Sequence, residues 1–116
     1  MIKVLQVLAF EPVGGVGTFL ENMSENLDKN EIRFDFLLSP SHRKSDFGKK
    51  MTDEGNTLYW LPSLTLKHAF EYIRKTKDFY KNNANKYDIV HIHAPNIAII
   101  HLFYAKKYGL KVRILH

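Results

Sequence analysis

Apolar residues recur along this chain with a spacing that switches repeatedly between two and about three and a half. Ile2 to Leu8 is a short β-branched run, followed by the breakers Glu11-Pro12-Val13-Gly14-Gly15. From Val16 onward Phe19, Leu20, Met23 and Leu27 stand three and four apart, the stripe of an amphipathic helix. Ile32, Phe34, Phe36 and Leu38 alternate with Arg33, Asp35 and Leu37 and predict a second strand, ending at Ser39-Pro40-Ser41-His42. Ser45 to Gly55 reads as a short polar helix closed by its glycine, and Thr57 to Leu61 as a brief strand stopped by Pro62. Leu66, Phe70, Ile73 and Tyr80 are expected to line the buried face of a long helix reaching about Asn85. Asp88 to His93 is a further strand. Pro95 suits the first turn of a helix that runs to Tyr108 and stops at Gly109, before a last strand from Lys111 to Leu115.

Strands alternating with helices predict an α/β fold: a Rossmann-like three-layer α/β/α sandwich built on a parallel sheet. Ile2–Leu8 and Asp88–Ile92 are the most apolar strands and are expected to be central, with the chain reversing direction across the first. No repeat or linker interrupts residues 1–116, which are read as one domain.

Composition narrows the chemistry. A 45% hydrophobic fraction argues against disorder, and zero cysteines exclude disulfides, thiolate chemistry and cysteine zinc sites. The first residues lack a signal-peptide pattern and no apolar run approaches a bilayer span, so a soluble cytoplasmic protein is expected. Of the net charge of +5, Leu66 to Lys86 carries most, with six cations (Lys67, Arg74, Lys75, Lys77, Lys81, Lys86) against Glu71 and Asp78. Such a face can meet nucleic acid, anionic lipid or water alone.

In an open parallel sheet, ligands lie beyond the carboxyl ends of the strands. The loops that matter are therefore Ala9–Gly17, Ser39–His42, Pro62–Ser63, His93–Asn96 and the region of His116. Gly14-Gly15-Val16-Gly17 opens a helix, where free backbone N–H groups and the helix dipole can cradle an anion. The alternative is a tight turn needing positive φ. It is neither a dinucleotide fingerprint nor a P-loop, and Asp35 lies inside its strand rather than at a ribose-binding end.

His91-Ile92-His93 sets two imidazoles on one face of a strand. A metal site would need His101 or His116 to converge on them, without carboxylate help, and no metal is expected. His91 is read as a buried structural histidine and His93, at the strand's end, as a polar contact to sugar or phosphate. Glu11 is read as a solvated turn residue. No nucleophile elbow or hydrolase triad is present.

Lys3-Val4-Leu5-Gln6-Val7-Leu8 with Gly14-Gly15-Val16-Gly17-Thr18-Phe19-Leu20 resembles the opening of the retaining family 4 glycosyltransferases. So do Phe34-Asp35-Phe36-Leu37-Leu38, then Tyr87-Asp88-Ile89-Val90-His91-Ile92-His93-Ala94-Pro95, and Ala105-Lys106-Lys107-Tyr108-Gly109 through Arg113-Ile114-Leu115-His116. The resemblance runs the whole chain. It implies the N-terminal, acceptor-side half of a two-domain GT-B architecture, of the bacterial capsular or exopolysaccharide type.

By position it implies that Gly14, Gly15 and Val16 lie against the donor's phosphates, that His93 is the catalytic-site histidine near the transferred sugar, and that His116 is a further donor-site residue. It also implies a UDP- or GDP-linked sugar as substrate, a glycan or lipid-linked acceptor, and no cofactor. A hexosyltransferase activity is expected of the full-length protein, and none of the 116 residues alone, because the donor-binding C-terminal domain is absent from them. Residues 66–86 become a candidate peripheral contact with the inner face of the membrane, and no nucleic-acid partner is expected. The alternative is a stand-alone flavodoxin- or receiver-like binding module.

Overall fold

The computed structural model describes residues 1–12, 15–41 and 45–116, without the side chain of Val16. Gly14 therefore lies outside the described residues, and of Val16 only the backbone is described. The elements are β1 (Ile2–Val7), α1 (Gly15–Asn26), β2 (Ile32–Leu38), α2 (Phe47–Asp53), β3 (Leu58–Trp60), α3 (Ala69–Asn83), β4 (Ile89–Ile92), α4 (Pro95–Lys107) and β5 (Val112–Leu115). A single 3₁₀ turn, Ala84–Lys86, follows α3. The strands form one parallel sheet in the order β3-β2-β1-β4-β5, so the first strand is central and the direction of winding reverses across it. This is the Rossmann-like arrangement that the alternating pattern predicts.

The period of two divides the core. Leu5, Val7, Val90 and Ile92 face one layer, where they pack with Tyr72, Phe79 and Tyr80 of α3 and Ile97, Ala98 and Ala105 of α4. Val4, Leu8, Phe34, Phe36 and Leu38 face the other, against Leu20 of α1 and Phe47 and Met51 of α2. Two helices stop on glycines in the left-handed region, Gly55 (φ 91°) and Gly109 (φ 92°). In both, the next N–H reaches back five residues, Asn56 to Met51 O at 3.0 Å and Leu110 to Ala105 O at 2.9 Å. That closure satisfies the last-turn carbonyls and is open to glycine at little steric cost.

Two helix faces differ from the pattern reading. In α1 the inward stripe is Gly17, Leu20, Ser24 and half-buried Leu27, while Phe19 and Met23 point outward. In α3 it is Tyr72, Thr76, Phe79 and Tyr80. Of the expected α3 stripe only Tyr80 is fully buried; Phe70 is 90% exposed and Leu66, in the turn before the helix, is fully exposed. The cause is the same in both. A small hydroxyl residue occupies the centre of the true stripe, Ser24 taking a hydrogen bond from Asn56 Nδ2 (3.3 Å) and Thr76 Oγ1 donating to Tyr72 O (2.7 Å). Bonded in this way, they can be buried without loss.

Candidate active site

The carboxyl ends of β1, β4 and β5 bring Gln6, His91, His93 and His116 together. Val90 and Ile92 point toward α3 and α4, so His91 and His93 lie on the opposite face of the sheet. Gln6 stands beside His91 in the β1–β4 register. Both strand-end histidines are fixed by their backbones: the His93 N–H donates to Val7 O and the His116 N–H to Ile92 O, each at 2.9 Å. The ladders thus continue past the regular strands. His116 is brought beside the His-x-His pair, with ring centroids 5.4 Å from His91 and 5.7 Å from His93, while His91 and His93 are 4.1 Å apart.

Burial and crowding favour the neutral form of His91 and His93. Desolvation, followed by the repulsion of His91 and His116, pushes His93 down to about 4; desolvation and then His116 lower His91. His93 Nε2 lies 2.6 Å from the buried Gln6 Oε1. A carboxamide oxygen only accepts, so Nε2 carries the proton and Nδ1 is left with a lone pair. A neutral histidine held in this way can take a hydrogen bond from a hydroxyl group.

His91 is only half-buried and stacks on His116, so it belongs to the cluster rather than to the core. One possible ligand atom from each of His91, His93 and His116 lies within 4.8 Å of the others, so His116 supplies the third ligand that a metal site would need. The planes of His91 and His116 are nearly parallel, at 13°. Imidazole lone pairs lie in the ring plane, so these two rings must rotate before they can share one ion. His101 does not converge: it is buried on α4, with Nε2 and Nδ1 each 2.8 Å from the hydroxyls of Tyr72 and Tyr80.

Gly15 is the first residue of α1, just beyond the carboxyl end of β1. Neither Gly15 nor Gly17 has positive φ, so neither meets the tight-turn reading. A Cβ on Gly15 would meet nothing within 4 Å among the described residues. The remaining polar residues are structural. Asp35 accepts from Tyr87 Oη (2.6 Å) and the Thr57 N–H (3.0 Å), joining β2 to its neighbours. Glu11 is not simply solvated, because its Oε1 accepts the Gly48 N–H at 2.8 Å and anchors the start of α2. Gln6 was missed by the sequence reading. Its signal was a lone amide between Leu5 and Val7 in the most apolar strand.

No helix among the described residues is long and apolar enough to cross a membrane. Two solved structures share the fold. A hydrogenase C-terminal domain from Pyrococcus furiosus matches with a TM-score of 0.68 at 11% identity, over 98% of this chain and 90% of that one. A glycosyltransferase from Rickettsia africae ESF-5 matches with a TM-score of 0.64 at 18% identity, over 98% of this chain and 29% of that one. Two such different proteins on one architecture show that the fold alone does not choose the chemistry.

Sequence does choose. EpsF of Bacillus subtilis (strain 168), whose name assigns it as a glycosyltransferase, is 26% identical over 116 residues, covering 98% of this chain and 29% of that protein. The chain thus spans about three tenths of the length of this curated relative. The family model described as Glycosyltransferase Family 4 matches residues 13–116, a span that takes in the helix-opening glycines, the His-x-His strand and the terminal histidine. This chain belongs to glycosyltransferase family 4.

Proposed function

We propose that this chain is the acceptor-side N-terminal domain of an enzyme that transfers a hexose from a UDP- or GDP-linked donor to a glycan or lipid-linked acceptor, with retention. In this reading it acts in bacterial polysaccharide synthesis on the cytoplasmic side of the membrane, and a second domain in the remaining length of the enzyme holds most of the donor. The observation that carries the reading is the open nitrogen of His93 at the carboxyl edge of the central strands, in a chain of this family.

During transfer the acceptor hydroxyl replaces the diphosphate at the anomeric carbon, and its proton passes to the departing diphosphate. His93, neutral near pH 7, accepts a hydrogen bond from a hydroxyl of the sugar being moved and orients it. His116 lines the same wall. The backbone at Gly14, Gly15 and Val16 receives the diphosphate, where N–H groups and the helix dipole favour developing negative charge. The chemistry uses no metal and no cofactor.

The test is to incubate the full-length enzyme with UDP- and GDP-hexoses and lipid-linked or oligosaccharide acceptors, then follow products by mass spectrometry and anomeric configuration by NMR. A product with the donor's configuration supports the reading. An inverted product removes retention, and failure with every donor removes the proposal.

A further inference from the structure

Three imidazoles on one rim of the sheet are more than a single sugar contact requires. His91 and His93 stand two apart on one face of the β4 chain path, and the β4–β5 register carries a third to them. Ile92 pairs with Leu115, and one residue further on His116 stands beside His93, its N–H bonded to Ile92 O at 2.9 Å. The backbones of His93 and His116 are both held by ladder bonds, so the positions that carry these side chains are set by the sheet itself. The rings are held less firmly. Among the described residues His93 is hydrogen-bonded through Nε2 to Gln6, whereas ring contacts alone position His91 and exposed His116.

We infer that His91, His93 and His116 form a binding site for Zn2+. One possible ligand atom from each lies within 4.8 Å of the others. Nitrogens bound at roughly 2.0–2.1 Å to one tetrahedral ion stand about 3.3 Å apart, so a modest closure suffices. Turning His91 and His116 out of their stack supplies it, and the terminal torsion of a histidine is broad enough to allow the turn. Gln6 adds the outer partner that such a site uses: its Oε1 takes the proton of His93 Nε2 and leaves Nδ1 as the ligand atom. The donor set selects the ion. Three neutral nitrogens, with no carboxylate in the cluster and no cysteine in the chain, suit zinc or a neighbouring transition metal and are poor ligands for Mg2+ or Ca2+. His101 is excluded because both of its nitrogens are bonded to tyrosine hydroxyls.

The site stands on the geometry of the cluster and does not rest on the glycosyl-transfer reading. Its consequence for activity does rest on it. An ion on Nδ1 occupies the lone pair that the sugar hydroxyl would use, so Zn2+ is a blocker of the sugar site and no participant in transfer.

Calorimetric titration of tag-free full-length enzyme with zinc chloride tests the site, with Co2+ absorption as a report of tetrahedral nitrogen ligation. One ion is expected to bind at these residues, undisturbed by millimolar Mg2+. His116→Ala, which alters only an exposed side chain, and His91→Ala should each weaken binding by more than the roughly 10–100-fold that an outer partner is worth, and Gln6→Leu by about tenfold. His68→Gln, on the separate His68–Glu71 pair, should leave it unchanged. Failure to bind Zn2+, equal displacement by Mg2+, or undiminished binding by both His91→Ala and His116→Ala would overturn the inference. Zinc should also slow sugar transfer, and His91→Ala should relieve that inhibition. Zinc bound at these residues with transfer unaffected would support the site and contradict the sugar contact of His93.

Discussion

His101 and His93 are the same residue in the same sheet-and-helix layer system, and burial drives both toward the neutral form, to about 3 and about 4. What separates them is hydrogen-bonding valence. His101 has both nitrogens occupied by buried tyrosine hydroxyls, so it joins α3 to α4 and has nothing left to offer. His93 has one nitrogen held by Gln6 and one with no partner among the described residues, and its backbone is fixed by Val7. A lowered pKa is therefore no guide to function here. The nitrogen without a partner among the described residues is.

The comparison can be broken from its structural side first. His101→Leu leaves the hydroxyls of Tyr72 and Tyr80 buried without their partner, and an unsatisfied group costs about 1–3 kcal/mol. The expected loss is about 3 kcal/mol in urea unfolding, from the two hydroxyls together. Stability close to wild type would mean that the tyrosine–histidine triad is incidental.

Acidification comes next. An unfolded histidine titrates near 6.5, whereas folded His101 and His93 resist protonation until about 3 and about 4. Below pH ~6.5 the unfolded chain binds more protons than the folded one, so stability is held above that pH and declines as it falls. The deeply buried His101 alone predicts a loss of about 1 kcal/mol per pH unit on first crossing that point. Urea midpoints that rise between pH 7 and pH 5 would contradict this; a flatter slope in His101→Leu would assign it.

A change in rate rather than stability is expected at Gln6. Gln6→Leu removes the acceptor for His93 Nε2, freeing the ring to turn and to change tautomer. Transfer should fall about tenfold, ~1.4 kcal/mol, with the NMR titration of His93 altered and the others little changed. Unaltered His93 titration would show that the Gln6 bond does not set its state.

Much of this was legible from residue order. The alternation of Ile32 through Leu38, the proline at the start of α4 and the glycines closing α2 and α4 each encode a local geometry, and the apolar character of β1 and β4 marks them as central strands. The helix faces were harder. Ser24 is buried through a long-range hydrogen bond from Asn56 and Thr76 through one to its own helix, so a search for apolar stripes shifted onto Met23 and Phe70 instead. At the site, strand period alone paired His91 with His93. Placing His91 in the cluster and Gln6 beneath His93 needed the register between β1 and β4, which no local pattern contains. Of the two readings left open for the helix-opening glycines, Gly15 and Gly17 do not meet the left-handed turn, and among the described residues the left-handed glycines are Gly55 and Gly109.

The central claim is that the open nitrogen of His93 handles sugar and carries no fold. Its most direct test is sugar transfer by His93→Ala in the full-length enzyme, with the melting temperature measured on the same sample. The account predicts a fall in kcat of about 100-fold, the scale for losing one well-placed polar contact to the reacting group, in protein that stays folded at the assay temperature despite the about 1–3 kcal/mol cost of leaving the buried Gln6 Oε1 without its donor. Transfer at the wild-type rate, or a loss of transfer that merely follows a loss of stability, would contradict it.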